Sequence, residues 1–346
     1  MRTWLRGDDL LERAAIRLNL APLPVGLTFF GMPAARTLSL AQKLGVLGAV
    51  ARSPATAEEV AGAAGIRPPG ARMLLEALCG MGLLRRRGDR FGLARRARRW
   101  LSPESPRYIG TFLEHTHDYW EWWGELERVL REGRGFQIHA AARDAPSWPV
   151  YIRGQYELAR LSADDVARAL KLPPRPRSLL DVAGGHGWFA AALCARHEGL
   201  RATVVDLAPS AAVGRQIIAE NGLSERVGHV EGDMFAVDLG GPHDAALCFD
   251  IIHHLSPEQV VLLFGRVRRA LRPGATLAVL DMFRDPGRRP RASASFFRLF
   301  FHLTSGADIY SREQLAEFLA QAGFGAPRRR RVRSIPDQAL YQAEAI

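Results

Sequence analysis

Two hydrophobic patterns divide the chain, and the change falls near residue 175. Before it, apolar residues recur at helical spacing: 38–51 forms one such run, and Thr56-Ala57-Glu58-Glu59 opens a second helix with Thr56 as N-cap. Pro68-Pro69-Gly70 leads into a third helix over 71–81, which Gly82 closes. Leu83-Leu84 and Arg90-Phe91-Gly92-Leu93 then read as two short strands around Gly88-Asp89, giving the element order of a winged helix. Beyond 175, apolar runs at 179–182, 202–206, 244–249 and 276–281, with a further strand before Gly232, alternate with helices at 257–271, 296–303 and 312–322. A basic edge strand follows near 328–333. Strands alternating with helices predict an α/β fold with a doubly wound, mostly parallel sheet, whose ligands bind at the carboxyl ends of the strands.

The third helix decides what the N-terminal part is for. Its residues Met73, Leu74, Leu75, Ala77, Leu78 and Met81 leave Arg72 and Glu76 as its charged side chains, whereas a DNA recognition helix needs several base-reaching donors. A packing helix is expected, with no nucleic-acid partner. The net charge of +11 and pI near 10.4 raise the polyanion question again. Lys43 and Lys171 are the only lysines among 47 basic residues, so arginine is the general solvated cation of this chain. The clusters at 85–87, 95–99 and 328–331 then read as wet faces and loops. Cys79, Cys194 and Cys248 each lie in an apolar run and form no disulfide framework, which suggests a reducing compartment. Pro22, Pro24, Gly26, Gly31 and Pro33 break the one long apolar stretch, so no signal peptide, spanning segment or membrane partner is expected and the cytoplasm is the default location.

Residues 101–172 bridge the two patterns and are dense in aromatics: Phe112, His115, Tyr119, Trp120, Trp122 and Trp123, then Trp148, Tyr151 and Tyr156. They suit an aromatic substrate pocket. They equally suit helices that must bury large side chains between domains, and the sequence leaves both readings open. The expected division is 1–100, 101–172 and 173–346, with the Pro- and Arg-rich segment 171–177 as the last boundary.

The chemistry concentrates after that boundary. Asp181-Val182-Ala183-Gly184-Gly185-His186-Gly187 runs from a strand into a glycine turn and a helix, where the backbone can approach a ligand and offer unpaired N–H groups. The next strand ends in Asp206, followed by Leu207, and an acid there accepts from both ribose hydroxyls. Asp233, after Gly232, suits an adenine amino group, with Met234 and Phe235 as apolar surface for the ring. Glycines and Asp206 alone do not separate NAD from S-adenosylmethionine, but a loop reading A-G-G-H-G deep in the chain favours the latter.

From about residue 35 onward the chain resembles the small-molecule O-methyltransferases of the caffeate and acetylserotonin type. The resemblance rests on the glycine loop, the strand ending in Asp206, Gly232-Asp233-Met234-Phe235 and His253-His254-Leu255-Ser256-Pro257-Glu258. It implies an α-helical winged-helix dimerisation domain, a Rossmann-like class I methyltransferase domain, S-adenosylmethionine as cofactor, a homodimer, and a small, aromatic, hydroxylated acceptor. It also implies that His253 is the general base, with Asp281 and Asp308 at the places of two acids that orient it. His254 stands where the family has Asp, and could share or replace the role of His253. Phe249 stands where the family has a cofactor-contacting Lys. These departures keep two alternatives in view, C-methylation or a non-methylating reaction on the bound cofactor, and, more distantly, a ligand-sensing regulator. Nothing in the spacing of His253, His254 and His302 demands a metal.

Overall fold

The computed structural model describes residues 9–18, 20, 22–138, 147–285 and 292–346, in two compact units, one ending at Glu121 and one beginning at Trp122. In the first unit the elements of the winged-helix core run in the order α1 (Met32–Lys43), α2 (Val46–Arg52), β1 (Ala55–Thr56), α3 (Ala57–Ala64), α4 (Pro68–Gly80), β2 (Leu84–Arg87) and β3 (Arg90–Leu93). Thr56 starts α3 through a reciprocal cap: its Oγ accepts from the Glu59 N–H at 3.2 Å, and its own N–H donates to Glu59 Oε2 at 2.8 Å. The expected hairpin gains β1 as a third strand, in the order β1-β3-β2. Two residues are too few to register as a periodic pattern, which is why the sequence shows only a cap there. Leu47, Val50, Leu75, Leu78, Phe91 and Leu93 are fully buried between the helices and this small sheet. α4 spends Ala71, Leu75 and Leu78 on that core, and its Arg72 donates to Glu58 at 3.0 Å. The helix packs as its composition predicts.

The second unit carries α5 (Trp148–Arg160), α6 (Ala163–Ala169), β4 (Ser178–Val182), α7 (Trp188–Arg196), β5 (Arg201–Asp206), α8 (Ala208–Glu220), β6 (Val227–Glu231), β7 (His243–Phe249), α9 (Pro257–Ala270), β8 (Leu271–Asp281), α10 (Ala292–Ser305), α11 (Arg312–Gln321), β9 (Arg328–Arg330) and β10 (Ala339–Glu344). Its seven strands lie in the order β6-β5-β4-β7-β8-β10-β9. β6, β5, β4, β7 and β8 are parallel, whereas β10 runs antiparallel to both β8 and β9. β10 has no counterpart in the expected strands, and it separates the basic strand, which does form the edge, from β8. β8 begins at Leu271, where the hydrophobic pattern still reads as helix.

Burial on both faces explains the continuous apolar character of β4 and β7, whose Leu179, Leu180, Val182, Ala245, Ala246, Leu247 and Cys248 are all inaccessible. The chain winds from β4 outward to β6, then returns beside β4 to place β7. That reversal opens a crevice at the carboxyl ends of β4 and its neighbours. Asp181, Asp206, Asp250 and Asp281 all sit at those ends. No described helix is long and apolar enough to cross a membrane.

Candidate active site

The turn after β4 adopts backbone geometry that few side chains tolerate. Ala183, Gly185 and Gly187 have φ of 56°, 48° and 69°, so Ala183 accepts a left-handed conformation that costs on the order of 1 kcal/mol for a residue with a Cβ. Gly184 is required for a different reason: a Cβ there would lie 2.5–2.7 Å from the Asp181 carboxyl group. The loop is then tied to β5. Gly185 N–H donates to Asp206 Oδ2 and Leu207 N–H to Asp206 Oδ1, both at 2.7 Å.

Two histidines brace this cradle in their neutral form. His229 on β6 donates from Nε2 to the Gly185 carbonyl at 3.1 Å, and burial drives its pKa down to about 4. His186 accepts from the Trp188 N–H at 3.0 Å, its pKa lowered to about 3 by burial and then by His229. His186 was visible in the loop motif, but no sequence signal assigned His229.

Asp181, Gly184, Gly185, Asp206, Leu207, Gly232, Asp233, Met234, Phe235 and Phe249 line one cavity of about 400 Å³. Gly187 does not. It begins α7, and a Cβ there would come within 3.2 Å of His229 and Val204, so its part is close helix–strand packing. The cavity has a further wall that sequence reasoning did not assign to it: Trp148, Tyr151, Ile152 and Gln155 of α5. Trp148 Nε1 donates to Ser210 Oγ at 3.0 Å, which fastens α5 to α8. The aromatic density of 101–172 was the available signal, and Trp148 and Tyr151 lie on the wall of the cradle cavity.

The donor set of this cavity fits an adenosyl sulfonium. Asp206 offers a carboxylate at a strand end, and Met234 and Phe235 are apolar. Asp181 is 2% exposed, no hydrogen bond to its carboxyl is present among the described residues, and burial followed by the charge of Asp206 pushes its pKa up to about 8. A buried carboxyl left in that state is matched by a cationic ligand.

At the end of β7 the chain turns through Asp250, at φ 52°, into a single helical turn over Ile252–His254. His253 is 5% exposed; its Nδ1–H donates to Asp281 Oδ1 at 2.7 Å, and its ring stacks on Phe301 with centroids 3.7 Å apart. Asp281 Oδ1 also accepts from the Met282 N–H at 2.7 Å, which fixes the carboxylate. With Nδ1 engaged as donor, Nε2 is the free basic nitrogen of His253. The His254 ring lies 4.2 Å from that of His253, and His254 lines the cofactor-sized cavity and a neighbouring one of about 1540 Å³.

Asp308 is placed otherwise than the resemblance implies. Its two oxygens accept from Arg298 Nε and Nη2 at 2.6 Å each, and Oδ1 accepts the Ile309 N–H at 2.8 Å; none of its bonds reaches His253. The carboxylate that joins His253 and Asp281 is Asp250: one carboxylate oxygen of each acid and one ring nitrogen of His253 lie within 4.8 Å of one another. Nothing in the sequence pattern singled it out beyond its position at a strand end.

Comparison with known proteins gives concordant matches. A family model described as O-methyltransferase domain matches residues 123–325, and one described as O-methyltransferase dimerisation domain matches 28–103. Acetylserotonin O-methyltransferase of Mus musculus is 30% identical over 337 residues, covering 90% of this chain and 86% of the relative. The 3-hydroxy-5-methyl-1-naphthoate 3-O-methyltransferase of Streptomyces sahachiroi is 27% identical over 309 residues, covering 85% and 86%. Among solved structures, human N-acetylserotonin methyltransferase in complex with S-adenosylmethionine superposes with a TM-score of 0.83 over 99% of both chains, at 19% identity, a likeness of fold.

Proposed function

The chain belongs to the O-methyltransferase family, and from that premise we propose that it methylates a hydroxyl of a small aromatic metabolite, with His253 as general base. S-adenosylmethionine supplies an electrophilic methyl group when bound. The residues proposed to hold it are those of the cradle: Asp206 toward the ribose, Asp233 with Met234 and Phe235 around the adenine, and Asp181 toward the cationic end. Each charge-assisted hydrogen bond of this kind is worth about 1.5–3 kcal/mol.

The observation that carries the base assignment is the 2.7 Å bond from His253 Nδ1 to Asp281. A phenol with a pKa near ~10 is protonated at neutral pH. A neutral imidazole whose tautomer is fixed by Asp281 takes up that proton as the acceptor oxygen becomes nucleophilic, and the carboxylate stabilises the imidazolium that forms. Such a base contributes on the order of 10² to 10⁴ in rate, and the remainder is positioning. Residues 28–103 are proposed to pair two chains, and the segment 101–172 to contribute to the acceptor pocket.

The test has two parts. S-adenosylhomocysteine should bind the wild type at micromolar or better, as followed by calorimetry, and hydroxynaphthoates should release it from S-adenosylmethionine. His253→Ala should keep the binding and lose the release. A wild type that binds no adenosyl ligand would remove the proposal.

A further inference from the structure

His253 is buried, and the acid of its cluster that stands at the cavity wall is Asp250. Asp250 is exposed and lines the cavity that holds Asp181, Gly184 and Asp206, whereas His253 is 5% exposed and stacked under Phe301. Three contacts hold Asp250 in place. Its left-handed backbone, at φ 52°, turns it out of the line of β7; its N–H donates to the Leu280 carbonyl at 2.8 Å, one residue before Asp281; and Gln338 Nε2 donates to its Oδ1 at 2.5 Å. Asp281 Oδ2, fully buried behind it, has no hydrogen-bond partner among the described residues.

Resting on the reading of His253 and Asp281 as the base pair, we propose that Asp250 is a catalytic residue: the carboxylate that meets the acceptor hydroxyl and relays its proton to His253. The acceptor O–H bond breaks as its proton passes to an Asp250 oxygen. The acceptor oxygen's electron pair forms the new O–CH₃ bond while the pair of the S–CH₃ bond stays on sulfur. Asp250 hands the proton to Nε2 of His253, becomes a carboxylate again, and the imidazolium rests against Asp281. The proton returns to solvent along the same path, through the exposed Asp250. This gives a two-carboxylate arrangement around one imidazole, with Asp250 as the second acid and Asp308 kept by Arg298.

The titratable groups facing Asp250 are Asp281 from β8 and His253 from the turn, with His254 beside them on the same wall; the 331–338 segment contributes the neutral Gln338 amide. Although the residue as a whole is exposed, the protein packed around its carboxyl reduces its solvation; that and then the charge of Asp281 push the Asp250 carboxyl up, and His253 and Gln338 pull it back. The acid limb of the rate profile should therefore lie above the ordinary carboxylate range and respond to Gln338.

The experiment follows kcat/KM against pH with a hydroxynaphthoate as acceptor, together with calorimetry of S-adenosylhomocysteine. Asp250→Asn should lower kcat by about 10² or more with ligand binding unchanged, and Asp250→Glu should recover part of it. Gln338 lies outside the cradle cavity and, among the described residues, its side chain donates to Asp250; Gln338→Leu should move the acid limb to higher pH, because the lost amide no longer favours the ionised form. Full activity in Asp250→Asn with His253→Ala inactive would overturn the relay and leave His253 as the base. An acid limb unmoved in Gln338→Leu would also overturn it. Full activity in His253→Ala would remove the underlying reading and the relay with it.

Discussion

Arg298 grips Asp308 with two parallel hydrogen bonds of 2.6 Å, one to each carboxylate oxygen, across the end of α10. That geometry spends the carboxylate on the guanidinium, and both side chains are partly open to solvent, which limits the pair to about 0–1 kcal/mol of stability. Asp308→Asn should therefore leave the pH dependence of kcat where it is in the wild type. Its effect should appear in acceptor KM and should match that of Arg298→Gln, with the double substitution no worse than either alone. A loss of kcat comparable to that of His253→Ala would place Asp308 in the base machinery after all.

The contrast between Asp308 and Asp250 marks how far the sequence carries. Asp281 could be found by counting onward from His253 along the resemblance, because α9 and β8 follow without an insertion and bring the count to the end of β8. Asp308 follows a helix and a loop, where a fixed count does not fix direction, and Arg298 one helix earlier captured it. Asp250 gave no signal, since an acid after an apolar strand is commonplace and its left-handed turn is invisible in composition. The parallel strands were legible because burial on both faces makes them uniformly apolar. β10 was not, because Ala339 to Glu344 mixes Gln and Glu with its buried Leu340, Tyr341 and Ala343.

Asp206 anchors its own loop as well as facing the cavity, through 2.7 Å bonds from Gly185 and Leu207. Asp206→Ala should weaken S-adenosylhomocysteine binding by at least tenfold in calorimetry, by removing the proposed ribose acceptor and releasing the glycine turn together. Asp206→Asn keeps an acceptor and should lose less. Equal binding in wild type and Asp206→Ala would show that the ligand does not use this strand end.

Gly214 lies inside α8, where alanine ordinarily gains about 0.5–1 kcal/mol. Here a Cβ would overlap the Gly185 carbonyl and the His229 ring, and a backbone oxygen cannot swing aside. Overpacking of about 1–3 kcal/mol outweighs the helix preference. Gly214→Ala should lower the midpoint of urea unfolding and weaken adenosyl binding, since the helix must move away from the cradle. An unchanged or raised midpoint would mean that α8 relaxes freely.

The raised pKa of Asp181, pushed up to about 8 by burial and then by the charge of Asp206, links donor binding to pH. Its carboxyl is therefore held toward the protonated form at neutral pH. A bound cation favours the ionised form, so with Asp181 at the proposed cationic end, binding S-adenosylmethionine should drive a proton off whenever the pH lies below the free value. Affinity should rise with pH between about 6 and 8, by at most tenfold per unit, and level off once Asp181 is already ionised. His186 and His229, held near 3 and 4, stay neutral across this window and contribute nothing to it. Calorimetry at pH 7 in two buffers of different ionisation enthalpy reads the released proton directly. Asp181→Asn should bind more weakly and with a shallower pH dependence in that range, the remainder belonging to Asp250, which lines the same cavity with its carboxyl pushed up to about 7; retention of the full wild-type slope in this variant would assign the proton to another group.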